Sequence, residues 1–340
     1  MSAPVAVYEK VTRERFIDQI AKAGRPAILR GLVADWPAVE AARNGEAALI
    51  AYLKGCDNGV PAEIMVGEAA IRGEFFYNAD MSATNFTRET ANLSATFDRI
   101  LAQRTQAQPQ AVYVQSVSVR EHLPKFAAEN RIDFIPQDIE PRIWAGNPLR
   151  VQTHYDLSNN IAVCVAGRRR FTLFPPEQLV NLYVGPFDFT LAGPPVSMVS
   201  LEAPDFARFP RFAEALAVAG VAELEPGDGL YIPYGWWHHV RTLEAFNVLV
   251  NYWWNEARAG LGSPYDALLL AILGIRDMPP AQREMWKVMF DYYVFGSHGD
   301  PVAHLPAARQ GVLGPLTPAL DQKMRRQLIQ ALVRMTGGRP

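Results

Sequence analysis

Between residues 111 and 254 the sequence consists of short runs rich in β-branched and aromatic residues, separated by Gly, Pro and Asn. Many short strands with such turn residues are typical of a β-sandwich or a barrel. The pattern therefore predicts a mainly β core. The predicted strands are 111–117, 142–145, 151–155, 160–165, 169–174, 229–233 and 246–254.

Helical patterns lie on both sides of this core, so the predicted fold class is α+β. Helix-spaced apolar residues and capping signals predict N-terminal helices at 12–23, 46–53 and 94–102, one more beginning within 35–38, and a short strand at 26–31. After the core, the same signals predict helices at 264–273, 280–295 and 318–335. We expect three parts: an N-terminal α/β flank (1–110), a β core (111–256) and a C-terminal helical segment (257–340).

The C-terminal helices carry large apolar clusters, at 268–273 and 285–290. These clusters exceed what one surface helix needs for packing on its own domain. We expect the segment either to pack deeply or to form a homodimer.

The composition of the chain limits the kinds of partner that it can attract. The 33 basic and 35 acidic residues nearly cancel, to a net charge of −2, so no global attraction to nucleic acid or to a membrane is expected. The first residues lack the pattern of a secretory signal, and no apolar run approaches the roughly 20 residues of a membrane span. We expect a cytoplasmic protein, with Cys56 and Cys164 as free buried residues.

Three of the six histidines fall at the ends of predicted strands. In an extended strand, His154 and Asp156 lie on one face and can reach one ion. A second motif lies at 227–239, with the sequence Gly-Asp-Gly-Leu-Tyr-Ile-Pro-Tyr-Gly-Trp-Trp-His-His. It predicts a turn, an apolar strand and a Pro-Gly bend that precedes two histidines. A histidine from this motif can complete the metal site. Two histidines and one carboxylate leave three positions open on Fe(II), enough for a bidentate 2-oxo acid and O2. Zinc hydrolase chemistry fits this arrangement less well.

With these motifs the chain resembles the JmjC-type cupin family (cupin-like domain 8) of Fe(II)- and 2-oxoglutarate-dependent oxygenases. This family includes the asparaginyl hydroxylase of hypoxia-inducible factor and tRNA-modifying relatives. The resemblance covers roughly residues 8–255 and implies a double-stranded β-helix, or jelly-roll, core. Its most specific parts are residues 152–156, 167–178, 227–239 and 250–253.

The resemblance also implies roles for single residues. The iron ligands would be His154, Asp156 and His238, because the family's ligand histidine directly follows the Trp-Trp pair. Gln115 would face the substrate, and no role follows for His239. The 2-oxoglutarate pocket would contain Tyr113, Asn160, Arg169 and Asn251.

Two positions depart from the hydroxylase pattern. Arg169 stands where a lysine is usual, and Val151 stands where a threonine is usual. The pocket would then keep one cation while differing in detail, and an arginine can bind both oxygens of a carboxylate.

These features predict an oxygenase that uses Fe(II), O2 and 2-oxoglutarate to hydroxylate a C–H bond, with release of succinate and CO2. We expect the substrate to be a protein side chain, although its identity and the oxidised position do not follow from the sequence. The alternatives are a non-catalytic cupin-fold binding protein, another metal-cupin reaction, and an oxygenase of small molecules or tRNA.

Overall fold

The computed structural model describes residues 3–191, 193–258 and 260–337. The chain divides into two compact units, Met1–Glu256 and Ala257–Pro340. The strands, all in the first unit, are β1 (Ala3–Pro4), β2 (Ala6–Glu9), β3 (Ala27–Arg30), β4 (Ala62–Gly67), β5 (Glu74–Phe75), β6 (Phe86–Ala91), β7 (Ala111–Ser118), β8 (Pro141–Gly146), β9 (Arg150–Tyr155), β10 (Asn159–Ala166), β11 (Arg169–Phe174), β12 (Gly220–Leu224), β13 (Gly229–Ile232), β14 (Trp237–Thr242) and β15 (Asn247–Trp254).

The strands form two sheets that together make a jelly-roll core. One sheet has the order β1-β12-β11-β14-β9-β5, and the other has the order β2-β3-β13-β10-β15-β8-β7-β4-β6. The eight strands from β8 to β15 alternate between the sheets in chain order, except that β11 and β12 are neighbours in the same sheet, and all eight pair in antiparallel fashion. This is the double-stranded β-helix expected from the sequence.

The N-terminal segment extends both sheets. β1 pairs with β12 in one sheet, whereas β2 and β3 join β13 in the other. Asp228, in the turn before β13, accepts hydrogen bonds from the backbone of Gly31 and from the Arg30 side chain. These bonds fix the N-terminal segment to the core.

Helices cover the outer face of the larger sheet. The largest apolar cluster contains Leu53, Phe97 and Phe126 from three of these helices and Val163 and Val250 from the sheet. The helices of the first unit are α1 (Arg13–Arg15), continued by a π turn and a 3-10 turn to Ala23, α2 (Pro37–Arg43), α3 (Glu46–Cys56), α4 (Leu93–Ala102), α5 (Val119–His122), α6 (Pro124–Glu129) and α7 (Phe212–Val218).

The second unit is helical: α8 (Pro264–Ile275), α9 (Pro280–Tyr293) and α10 (Pro318–Met335). No residue of these three helices is buried. Their large side chains are instead strongly exposed, for example Leu273 at 64% and Val288 at 66%. Among the described helices, none has the length and apolar character to cross a membrane.

Two bulges next to the core change which side chains face inward. In β9, Gln152 and Thr153 together oppose the single residue His239 of β14. In β7, Gln115 and Ser116 together oppose Trp144 of β8. Each extra residue shifts the alternation of side chains along its strand.

Candidate metal centre and adjoining cavity

His154, Asp156 and His238 converge at one end of the core. His154 lies near the end of β9, Asp156 directly follows this strand, and His238 lies near the start of β14 as the pairing partner of His154. One possible ligand atom from each lies within 4.8 Å of the others, and Nε2 of His238 is 3.7 Å from Oδ2 of Asp156. The three residues can therefore hold one metal ion.

Backbone carbonyls set the orientation of both histidines. Nδ1 of His154 is 2.8 Å from the Gln152 oxygen, and Nδ1 of His238 is 3.1 Å from the Trp236 oxygen. Because a carbonyl only accepts, each Nδ1 donates, which leaves the Nε2 lone pair available to a metal. Burial, helped by the nearby His154, lowers the pKa of His238 to about 4, so its imidazole is neutral near pH 7.

The bulge in β9 brings His154 to the inner face. Val151 lines the same cavity as His154, although an odd separation in a regular strand places two residues on opposite faces. The extra residue among Gln152 and Thr153 removes this conflict. Gln152, on the outer side, donates two hydrogen bonds of 3.0 Å to the oxygens of Ser197 and Val199, which anchor the bulge.

A hydrogen-bond chain ends on Asp156. Its Oδ2 accepts from Nε1 of Trp253 at 3.0 Å and from Nδ2 of Asn160 at 3.4 Å. Asn160 in turn accepts from Nδ2 of Asn251 at 3.2 Å, and Asn251 accepts from Nε1 of Trp144 at 2.7 Å. Four side chains from three strands thus orient the carboxylate, as outer partners do in metal sites.

A cavity extends from this cluster into the core and contains a buried cation. Arg169 of β11 is only 2% exposed, and its Nε has no hydrogen-bond partner. Its Nη2 makes a long contact of 3.4 Å with the Trp144 oxygen. Burial lowers the pKa of Arg169, and Tyr113 and Cys164 are the groups whose charges act on it. Within the described part of the chain, this guanidinium therefore has no carboxylate partner.

An unpaired buried cation is costly unless a ligand brings the opposite charge. The cavity thus fits an anion that contacts Arg169 at one end and the metal position at the other. The donor set of two histidines and a carboxylate fits Fe(II), and a dicarboxylate would offer one carboxylate to the metal and the other to the buried guanidinium.

The structure brings most of the predicted site residues together in this cavity. Tyr113, which burial keeps protonated by raising its pKa, lies in it together with Asn160, Arg169, Asn251 and the three candidate ligands. Val151, one of the two departures from the family pattern, also lines it. Gln115 is not among the lining residues; it lies half-buried in the bulge of β7.

His239 also lies outside the cavity lining. It is 3% exposed, next to His238 in the strand, and pairs with Thr172 of β11. Burial lowers its pKa to about 3, and His154 and two arginines act in the same direction.

Sequence reasoning missed Trp144, which lines the cavity and donates to Asn251. The available signal was the alternation within β8, where Ile143 and Ala145 are fully buried on the helix-covered face. Trp144 must then face the inside of the core.

Comparisons with known proteins agree with this arrangement. Residues 13–259 match the model of the cupin-like domain. The chain is 26% identical to the tRNA wybutosine-synthesizing protein 5 of Danio rerio over 74% of this chain and 75% of that protein. It is 26% identical to lysine-specific demethylase 8 of Xenopus tropicalis over 71% of this chain and 51% of that protein. A shorter match, 36% identical, covers 32% of this chain and 19% of lysine-specific demethylase JMJ31 of Arabidopsis thaliana.

The family match covers most of the chain and includes all strands of the jelly-roll core together with the three candidate metal ligands. The chain therefore belongs to the cupin-like domain family, of the JmjC type.

Proposed function

We propose that this protein is an Fe(II)- and 2-oxoglutarate-dependent oxygenase that hydroxylates a C–H bond of its substrate. The observation that carries the proposal is Arg169, a fully buried guanidinium without a carboxylate partner in the described residues, in the cavity that also contains His154, Asp156 and His238. A metal site alone fits several reactions. A metal site with an unpaired cation nearby fits a reaction that uses an anionic cosubstrate.

Each cavity residue has a role in this proposal. His154, Asp156 and His238 hold Fe(II) through two nitrogens and one oxygen. Arg169 binds the distal carboxylate of 2-oxoglutarate, and the Tyr113 hydroxyl, protonated because burial raises its pKa, donates to the same group. Asn160 and Asn251 line the space between the two ends while orienting Asp156.

When bound, Fe(II) and 2-oxoglutarate would supply the oxidising power, with one atom of O2 entering succinate as CO2 leaves and the other entering the substrate. The chain supplies position and a dry surrounding. Phe171, Val240 and Leu249 line the cavity with apolar atoms, which exclude water and strengthen the contact between Arg169 and a carboxylate.

We propose a protein side chain as the substrate and a homodimer as the working form. The dimer proposal rests on the exposed apolar helices of the second unit. The demethylase and wybutosine-synthesizing relatives have names that indicate different substrates, so a tRNA or a small molecule is the second candidate.

A non-catalytic binding protein is the alternative from another class. The ordered tautomers of both histidines and the hydrogen bonds on Asp156 favour a working metal site over a vestigial one. Release of succinate from 2-oxoglutarate, with Fe(II) and O2 present, tests the proposal directly. We expect slow release without substrate and faster release with it, together with a product heavier by one oxygen atom. A chain that binds neither Fe(II) nor 2-oxoglutarate would contradict the proposal.

A further inference from the structure

A second arginine, Arg142, lies on the inner face of β8 at the end of the core where the metal centre is found. It shares this face with Trp144, two residues further along, which lines the cavity. Across the sheet it pairs with Asn251, another cavity residue. Opposed residues in paired strands have neighbouring side chains, so the Arg142 side chain begins beside Asn251.

Arg142 lies nearer than Arg169 to the end of the core that holds the metal centre. The chain reverses between β8 and β9, at residues 147–149. Arg142, near the start of β8, and Asp156, just after the end of β9, are both far from this reversal along their strands. Arg169 instead contacts the backbone of Trp144, closer to the reversal. The two arginines are thus at different depths.

Most N–H groups of the Arg142 guanidinium have no hydrogen-bond partner among the described residues. Its side chain is half-buried, and Nη1 donates a hydrogen bond of 2.9 Å to the Ser116 oxygen. No ion pair with a carboxylate involves Arg142 in the described part of the chain. Other core arginines differ: Arg150 pairs with Glu74 at 3.5 Å and Arg241 pairs with Glu202 at 2.8 Å.

The acceptor that holds Arg142 has an unusual backbone. Ser116 adopts φ of 53°, in the left-handed region that disfavours residues with a side chain. It lies in the bulge of β7, opposite Trp144. Strained backbone next to a cavity persists where the surrounding structure holds it, and it fixes the position of the groups it carries. The Ser116 oxygen thus limits the directions in which the guanidinium can point.

We infer that Arg142 binds an acidic side chain of a polypeptide substrate, next to the residue that is oxidised. This inference rests on the proposed function and adds a substrate class to it. The guanidinium has a planar set of free N–H donors, which suits a carboxylate.

An acidic polypeptide fits the surroundings better than RNA does. Binding a nucleic-acid backbone requires several cations along one surface. Here the two exposed arginines that flank Arg169 are neutralised, since Arg168 pairs with Glu244 at 2.8 Å and Arg170 with Glu223 at 2.5 Å. The whole chain has a net charge of −2. One isolated cation beside the cavity therefore matches one acidic residue.

The test is capture of random peptides displayed on phage by the full-length chain, without turnover. We expect peptides selected by the wild type to be enriched in Asp and Glu. The enrichment should disappear with Arg142→Ala and change to Lys and Arg with Arg142→Glu. Arg131→Glu, the same charge change at an exposed arginine outside the cavity, should select the same peptides as the wild type. Thermal unfolding of each variant checks that it is folded.

A second measurement needs only the wild-type chain. Replacing the acidic residue of a selected peptide by Gln or Asn should weaken its binding about ten- to hundredfold, as expected for the loss of a charge-assisted contact. The same peptide change should have no effect on Arg142→Ala.

Two results would overturn the inference. One is a peptide selection without acidic enrichment, or with the same enrichment in Arg142→Glu. The other is binding of a tRNA pool that falls steeply with salt, without any acidic preference among peptides. Capture does not depend on catalysis. Failure here with normal succinate release would therefore overturn the role of Arg142 and leave the proposed function standing.

Discussion

Nε1 of Trp253, in β15, donates a hydrogen bond of 3.0 Å to Oδ2 of Asp156. The indole thus orients the only carboxylate among the three candidate ligands. Outer partners of this kind typically contribute ten- to hundredfold to metal affinity. We expect Trp253→Phe, which keeps the ring and removes the donor, to weaken Fe(II) binding by about this factor in an anaerobic titration.

The neighbouring Trp254 provides the matched control. It stacks on Tyr231 and on the edge of Phe16, away from the metal centre. Trp254→Phe should lower thermal stability slightly and leave Fe(II) affinity unchanged. Equal Fe(II) affinity in both variants would show that the hydrogen bond from Trp253 does not support the metal site.

The double variant Asp156→Ala with His238→Ala should bind no Fe(II) and release no succinate, while the wild type binds about one ion per chain. The fold should survive, because the two sheets are held by apolar clusters that do not include these side chains. Metal analysis after anaerobic loading, with circular dichroism, measures both. Unchanged iron affinity in the double variant would disprove the ligand assignment.

Arg169→Ala should weaken 2-oxoglutarate binding about ten- to hundredfold, since a charge-assisted contact of this kind contributes roughly 1.5–3 kcal/mol. Fe(II) binding should hardly change. Arg169→Lys should restore part of the affinity, because a lysine keeps the charge without the planar donors. Isothermal titration in the presence of Mn(II) measures the affinity.

Arg168→Ala and Arg170→Ala are controls within the same run. Both side chains are exposed and paired with glutamates, so we expect nearly wild-type affinity for 2-oxoglutarate. If one of these neighbours lost the affinity while Arg169→Ala kept it, the cosubstrate would contact a different arginine. If all three kept it, the assignment of the cosubstrate pocket would be wrong.

Removing the charge of Arg169 should weaken 2-oxoglutarate binding but stabilise the ligand-free fold. In the absence of a ligand, the buried guanidinium lowers the stability of the fold, as its lowered pKa reflects. Arg169→Met should therefore raise the free energy of unfolding, by about 1–3 kcal/mol. The difference should shrink or reverse when 2-oxoglutarate and Mn(II) are present, because only the wild type gains from binding. Urea unfolding with and without the ligands measures it.

Asp57 links stability to pH. Burial acts to raise its pKa, but hydrogen bonds from Ser94 and Gly59 and the nearby His122 outweigh this, so the pKa is lowered. The carboxylate accepts from the backbone and the hydroxyl of Ser94 at 2.9 Å and 2.6 Å, at the start of α4. A lowered pKa in the folded state means that the stabilisation is present above the unfolded-state pKa and is lost as the pH falls through the folded-state value.

We therefore expect Asp57→Asn to cost about 0.5–1 kcal/mol near pH 7, as for other helix-capping contacts. The difference from the wild type should decrease steadily below pH 4. Chemical unfolding at several pH values measures it. A difference that stays constant down to pH 3 would mean that the charge of Asp57 does not contribute.

The second unit should hold two chains together. Phe295 is 72% exposed and Leu269 is 58% exposed, and a monomer rarely shows so much apolar surface in one helical unit. We expect light scattering to give the mass of a dimer. Leu269→Glu with Leu273→Glu should give a monomer, whereas Leu179→Glu, at an exposed leucine of the first unit, should not. A monomer mass for the wild type at high micromolar concentration would refute the proposal.

The sequence predicted much of the β core because its strands are buried on one or both faces. All seven predicted core strands begin and end within one residue of the observed ones, and the helices α8, α9 and α10 also agree closely. β14 was not predicted, since His238, His239 and Arg241 disrupt its apolar pattern. His238 faces the cavity, whereas His239 and Arg241 are tolerated because the outer face of this sheet is covered by residues 182–184 and 197–201 and by α7.

The residues of the site were predictable from the sequence, but the contacts between them were not. The spacing of His154 and Asp156 and the family motifs identified the residues that meet in the cavity. The hydrogen-bond chain from Trp144 to Asp156 could not be predicted, because it depends on the register between β8, β15 and β10. The isolation of Arg169 depends on where every carboxylate of the chain lies in space.

The bulge in β9 makes the pairing of this strand as important to the metal site as the identity of its ligands. Val151 and His154 both face inward only because Gln152 and Thr153 share one partner. Regular pairing of the same residues would place the imidazole of His154 on the outer face, opposite to Val151. The two hydrogen bonds that Gln152 donates to the oxygens of Ser197 and Val199 anchor the bulge, so they support the first metal ligand from the other side of the sheet. Substitution of Gln152 should therefore weaken metal binding, although this side chain does not line the cavity.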